Sequence, residues 1–194
     1  RRYDAPTIAA REHTMHDPNV TRHYIGLLCP GPSAQDDTRY AAKVLADVLG
    51  DSEGSRIYWA LVEPGLADEA DFSFMPQDRL GCYLGYASCD PDRAEQVEQL
   101  LIKTIDSAVD NLTDAEVERA KNKLATSATL QGESPRGRMT SIGSTWSYLG
   151  KHLPLEEELA RVMAVTADDL RKIAADPALS PKTVLRLGPG EPES

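Results

Sequence analysis

The chain has 194 residues, with 41% hydrophobic and 27% charged residues, the balance of an ordinary globular domain rather than a disordered segment. Lys plus Arg number 21 and Asp plus Glu 31, a net charge of −10 that a phosphate backbone would repel, so no nucleic-acid partner is expected. No apolar run reaches the ~20 residues of a membrane helix, so no membrane span is expected, and no basic–apolar–small signal segment opens the chain. The first residue is Arg rather than Met, so the sequence reads as a processed product or an excised piece. Compartment is left open.

Residues 1–20 read as a lead-in punctuated by Pro6 and Pro18, with one short strand expected over Pro6 to Arg11. Thr21 to Cys29 is the first clear strand. It is apolar on both faces and ends at Pro30-Gly31-Pro32-Ser33. From Ala34 to Leu49 the period changes to that of a helix, with Tyr40, Val44, Leu45, Val48 and Leu49 on one side. A second, apolar helix is expected over Ser55 to Val62, stopped by Pro64-Gly65. Ala70, Phe72 and Phe74 then alternate with polar residues. After a turn at Pro76-Gln77-Asp78, Leu80, Cys82, Leu84 and Tyr86 alternate with Gly81, Tyr83, Gly85 and Ala87, and the pair predicts an antiparallel hairpin.

The remainder is mostly helical. Asp90-Pro91 starts a helix carrying Ala94, Val97, Leu101 and Ile105 inward. Thr113-Asp114-Ala115-Glu116 is a capping box, followed by Val117, Ala120, Leu124 and Ala128. Ser134-Pro135 opens a helix with Ile142, Trp146 and Leu149 as its predicted inward stripe. Two short helices follow, over Pro154 to Val165 and after the cap Thr166, and Thr183 to Leu187 closes as a strand. Strands clustered with long helices predict an α+β fold, a mainly antiparallel sheet covered by helices on one face. The domain is expected over residues 21–190, with 191–194 as a tail.

No complete catalytic set appears. His13 and His16 are spaced HxxH but lack the glutamate and third ligand of a zinc site, and Asp17-Pro18-Asn19 favours a surface loop there. His23 reads as a packed strand histidine and His152 as exposed. Gly50-Asp51-Ser52-Glu53-Gly54 matches G-x-S-x-G, but a nucleophile elbow needs a strand before it and here a helix precedes it. An independent hydrolase using Ser52 with a histidine is the weakest of three readings. Cys29, Cys82 and Cys89 are an odd number in no CxxC pattern, and read as small core or strand residues. The acidic residues, Glu95, Glu98, Glu116, Glu118 and Glu156 to Glu158 among them, read as solvated helix faces.

Six segments in order give the positive reading. They are Cys29-Pro30-Gly31-Pro32 with the helix ending Val48-Leu49-Gly50; Gly54-Ser55-Arg56-Ile57-Tyr58; Glu63-Pro64-Gly65-Leu66-Ala67; Ala87 to Ala94; Leu112-Thr113-Asp114-Ala115-Glu116-Val117-Glu118-Arg119-Ala120-Lys121-Asn122; and Tyr148-Leu149-Gly150 with Val165 to Leu170. Together they resemble the C-terminal half of the pitrilysin / mitochondrial-processing-peptidase family of zinc metallopeptidases. The resemblance implies two homologous halves, with zinc held by an H-x-x-E-H motif in the other one. This chain, without that motif, would bind no metal, cleave nothing alone, and complete the peptide chamber. Its implied partners are the zinc-bearing half, in the same polypeptide or a separate subunit, and a peptide substrate. In active members this half supplies an Arg and, seven residues on, a Tyr that hold peptide. The matching positions are Leu61 and Asp68, which lack those donors, so no catalytic residue is expected here. Arg56, Glu63 and Asp68 remain as substrate-facing candidates, although Arg56 matches a structural position. The alternative reading is a structural module of the same fold with no peptidase role, like the respiratory-complex core subunits.

Overall fold

A computed structural model describes residues 9–175, 179–180 and 182–190. Its sheet has five strands in the order β1-β5-β2-β4-β3. The strands are β1 (Arg11–His16), β2 (His23–Gly31), β3 (Glu69–Gln77), β4 (Leu80–Cys89) and β5 (Thr183–Gly188). All pairings are antiparallel except β1 with β5. The helices are α1 (Arg39–Gly50), α2 (Ala94–Asp106), α3 (Asp114–Glu133), α4 (Pro135–Leu149), α5 (Leu155–Met163) and α6 (Ala167–Ala175). This is the expected α+β architecture.

One face of the sheet makes the core. Ile25, Leu27 and Cys29 of β2, Ala70 and Phe72 of β3, and Tyr83, Ala87 and Cys89 of β4 are buried beneath α1 and α2. The predicted stripes of both helices are the buried ones: Tyr40, Val44, Leu45, Val48 and Leu49 in α1, and Val97, Leu101 and Ile105 in α2. On β4 the inward set is the one with the glycines, not the one with Leu80, Cys82, Leu84 and Tyr86. A Cβ on Gly85 would sit 3.2 Å from Leu27 Cβ and 3.3 Å from Phe72, with Ile105 Cδ1 at 3.7 Å. The small residues let α2 come down on the sheet, and the bulkier set is left on the opposite face.

Several elements differ from expectation. The lead-in supplies a sheet strand, Arg11–His16, where a loop was expected after residue 11; the first part of the strand expected over 6–11 lies outside the described residues. Strand pairing with β5 overrides the local loop signal of Asp17-Pro18. Helix α1 begins at Arg39 rather than Ala34, because Asp36 Oδ1 accepts the Thr38 N–H at 2.8 Å and holds a turn ahead of it. The helix expected over 55–62 widens into a π-helix at Tyr58–Val62, with the Glu63 N–H donating to Tyr58 O at 2.9 Å. The hairpin turns at Asp78-Arg79, and Pro76 lies within edge strand β3.

The stripe predicted for α4 is corrected. Its caps form as read, with Ser134 Oγ accepting from Gly137 N–H at 3.0 Å and Gly150 in the left-handed region at φ 65°. Yet Ile142 and Trp146 are exposed, at 48% and 62%, Leu149 is only half-buried, and Gly137 is the buried residue of the helix. Helix α4 packs chiefly on α3, whose own buried residues, Val117, Ala120 and Lys121, all lie in its first half, so the apolar residues of α4 meet little core.

Candidate functional site

Leu61 and Asp68 lie at the two ends of one short segment. Leu61 is fully buried in the π-helix, and its carbonyl accepts the N–H groups of Leu66 at 3.0 Å and Ala67 at 2.9 Å. The chain is thereby folded back, and the Asp68 N–H reaches Ser88 O of β4 at 2.8 Å. Leu61 is core, while Asp68 is half-exposed at the rim where β3 starts and β4 ends. Its carboxylate meets Arg22, whose Nη2 donates to Asp68 Oδ1 at 3.2 Å and whose Nη1 donates to Asp90 Oδ1. Glu63, beyond the π-helix, is exposed and has no ion-pair partner among the described residues.

Arg56 is held inside. Its Nε and Nη2 fork onto Glu116 at 2.8 and 3.1 Å, and Nη1 donates to the carbonyls of Ser107, Ala108 and Asp110 at 3.2, 3.2 and 2.9 Å. Glu116 is also the capping-box residue of α3, accepting the Thr113 N–H at 2.9 Å. The Arg56 hydrogen bonds, then burial acting against them, leave the Glu116 carboxyl well below its usual range, at about 2. Arg56 therefore ties the α2–α3 turn and the start of α3 to the segment after α1, and its donors do not face outward.

A cleft of about 490 Å3 runs along β3 and gathers Asp47, Asp51, Asp68, Glu69 and Asp71 around Lys43. Burial, followed by the neighbouring Asp51, pushes the Asp47 carboxyl up to about 6. Burial and then Glu69 raise Asp71. Sequence reasoning missed both Asp47 and Arg22. Asp47 sits at a polar step of the α1 pattern, and Arg22 is one residue short of a strand, where no periodicity marks it.

The histidines do not assemble. His13 and His16 lie three apart on a strand and therefore on opposite faces. His23 packs against Gly188 and is lowered from its ordinary value first by burial. His152 is exposed. Among the described residues no group of three His, Cys, Asp or Glu side chains could hold a metal ion, so these residues do not fit a zinc centre. Ser52 lies in a turn after a helix with its Oγ 3.4 Å from Asp51 Oδ1, which is not an elbow geometry. All three cysteines are free; Cys29 and Cys89 are buried, and burial pushes the Cys29 thiol up to about 11. No helix among the described residues is long and apolar enough to cross a membrane.

What stands, then, is a one-sided α+β layer with a polar rim and, among the described residues, no cluster that could hold a metal ion. A sequence profile described as the peptidase M16 inactive domain matches residues 1–124. The chain belongs to the M16 peptidase family, as an inactive domain. It is 31% identical over 149 residues to an uncharacterized zinc protease of Streptomyces coelicolor, covering 76% of this chain and 32% of that protein. The chain spans about a third of the length of the curated relatives it matches. A crystal structure of a peptidase M16 inactive domain from Pseudomonas fluorescens has the same fold, with a TM-score of 0.83 at 17% identity over 100% of this chain and 47% of that one. A chain of complex III2 from Candida albicans also shares it, with a TM-score of 0.82 at 16% identity over 93% of this chain and 46% of that one.

Proposed function

We propose that this chain is the non-catalytic half of a zinc metalloendopeptidase, completing a peptide chamber and positioning substrate for a separate H-x-x-E-H half that carries the zinc. The observation that carries this reading is membership in the inactive-domain family, supported by a donor set that, among the described residues, gathers no group able to hold a metal ion. The length of the relatives, about three times the span matched here, leaves room for a second half. In such a protein this half contributes positioning and exclusion of water rather than bond-breaking chemistry. Asp68 and Glu63 are the substrate-facing residues; Arg56 supports the wall from behind.

The test pairs this chain with the H-x-x-E-H half, expressed as one polypeptide or two, and assays unfolded peptides with and without chelator. The expected result is zinc-dependent cleavage by the pair, none by this chain alone, and no stoichiometric zinc on this chain after dialysis. One tightly held zinc per chain would contradict it. A second reading is a structural module without a peptidase role, favoured by Leu61 and Asp68 standing where active members have peptide-holding donors and by the fold shared with complex III2. That reading predicts a stable pair that binds no zinc and cleaves nothing.

A further inference from the structure

The described residues leave two apolar surfaces of this chain uncovered. One is on the outer face of the sheet. Cross-strand partners share a face, and the register sets Leu28 opposite Leu84, Met75 opposite Cys82 and Leu80 opposite Gln77. Leu28, Met75 and Leu80 are each between 42% and 45% exposed. An antiparallel sheet face turned to water is ordinarily polar, so an apolar one marks an interaction surface. The other surface is on α4. Met139, Ile142 and Trp146 fall on one stripe of that helix and are all exposed.

The two surfaces lie side by side. Gln35 Nε2 donates to Tyr148 O at 2.8 Å and to Asp78 Oδ1 at 2.7 Å, and Gln35 Oε1 accepts the Arg79 N–H at 2.9 Å. The C-terminal end of α4 is thereby fastened beside the β3–β4 turn, next to Met75 and Leu80.

Their charges are opposite. Residues 134–155 contain Arg136, Arg138 and Lys151 and no Asp or Glu, in a chain of net charge −10. None of these bases meets a carboxylate among the described residues. The outer face carries Glu69 and Asp71 of β3, opposite Ser88 and Tyr86, and neither meets a cation among the described residues. The spacing agrees. Arg138 stands about 12 Å from Trp146 along a helix, and Asp71 about 13 Å from Met75 along a strand. A helix laid with Trp146 over Met75 and Leu28 therefore brings Arg138 to Asp71.

We propose that this chain forms a closed homodimer in which each copy lays α4 across the outer sheet face of the other. A basic stripe does not complement another basic stripe, nor an acid-edged face another such face, so the partner must offer the opposite of each. A second copy offers both. A twofold axis between the adjacent surfaces makes the contact twice and ends the assembly at two. Each contact sets a helix on a sheet, the layering by which such faces are buried within domains. This goes beyond the peptidase-half reading and does not rest on it, since it concerns the chain by itself.

The experiment is sedimentation equilibrium on this chain and on Trp146→Glu and Leu28→Glu, with far-UV circular dichroism to verify that each variant is folded. The parent should be a dimer at about 20 µM, and each variant should dissociate at least about 30-fold more readily, having lost both contacts. An equimolar mixture of the two variants should associate about tenfold more tightly than either alone. In that mixed pair, α4 of the Leu28→Glu copy still meets the intact sheet face of the Trp146→Glu copy. If a glutamate variant does not fold, Trp146→Ser and Leu28→Thr serve in its place, with a loss of about fivefold. A parent that stays monomeric at about 200 µM overturns the proposal. So does a dimer that only one of the two variants weakens, a mixture no tighter than its components, which marks a like-on-like contact, or growth beyond two copies, which marks an open array.

Discussion

The two faces of the sheet come from the same strands and are built to different rules. The inner face carries Ile25, Leu27, Phe72, Tyr83 and Ala87, none more than 2% exposed, pressed against α1 and α2. The outer face carries Tyr24, Leu28, Leu84, Tyr86, Leu185 and Leu187, with Leu28 at 45% and Leu185 at 41% exposure among the described residues. Hydrophobicity does not separate the two. On β4 the covered face is the one with Gly81 and Gly85, and at Gly85 the missing side chain leaves room for Leu27, Phe72 and Ile105. The difference teaches that burial, and with it stability, is concentrated on one face of the sheet.

The largest effect should come from the covered side. Leu101→Ala empties a fully buried site and should cost about 3 kcal/mol, read by denaturant unfolding. Next is Arg56→Ala, which leaves Glu116 and three carbonyls without their donor and should cost about 2 kcal/mol at pH 7. The Glu116 carboxyl is depressed in the fold, so the Arg56 contribution is present above the unfolded carboxylate range. It should shrink as pH falls from about 4.5 towards about 2, and a gap between parent and variant that stays constant over that window would refute this account.

A smaller effect of opposite sign is expected at Asp47. Its carboxyl is raised to about 6, so the fold holds that proton more tightly than the unfolded chain does, and stability falls as pH rises from about 4 to about 6. Asp47→Asn should therefore stabilise the chain at pH 7.5 by about 1 kcal/mol, a modest figure because the group is partly open to solvent, with no gain at pH 4. Smallest is Leu185→Thr on the uncovered face, expected to move stability by less than about 0.5 kcal/mol. A loss as large as that of Leu101→Ala would show that the outer face is part of the core after all.

The elements legible in advance are those whose signals are local. The capping boxes at Thr113 and Thr166 form reciprocally, the α1 and α2 stripes enter the core, and the β3–β4 hairpin pairs as its alternation requires. Helix α4 was legible as a helix, from Ser134-Pro135 to Gly150, but its stripe does not meet the core. A helical period marks an apolar side without saying whether anything lies opposite it. At the rim, Asp68 was found through family spacing, whereas its partner Arg22 comes from 46 residues earlier and carries no local mark.

Residue order alone determined strands β2 to β5, the helices that follow them, the caps at Thr113, Ser134 and Thr166, and the ordered motifs that place the chain in its family, because each depends on neighbours within a few positions. The tertiary structure decided which side of each strand is covered, that Arg56 faces inward while Arg22 stays at the rim, and that β1 joins the sheet beside β5. Those outcomes depend on which distant segments arrive at the same place, and packing volume and long-range pairing, not local period, select among them.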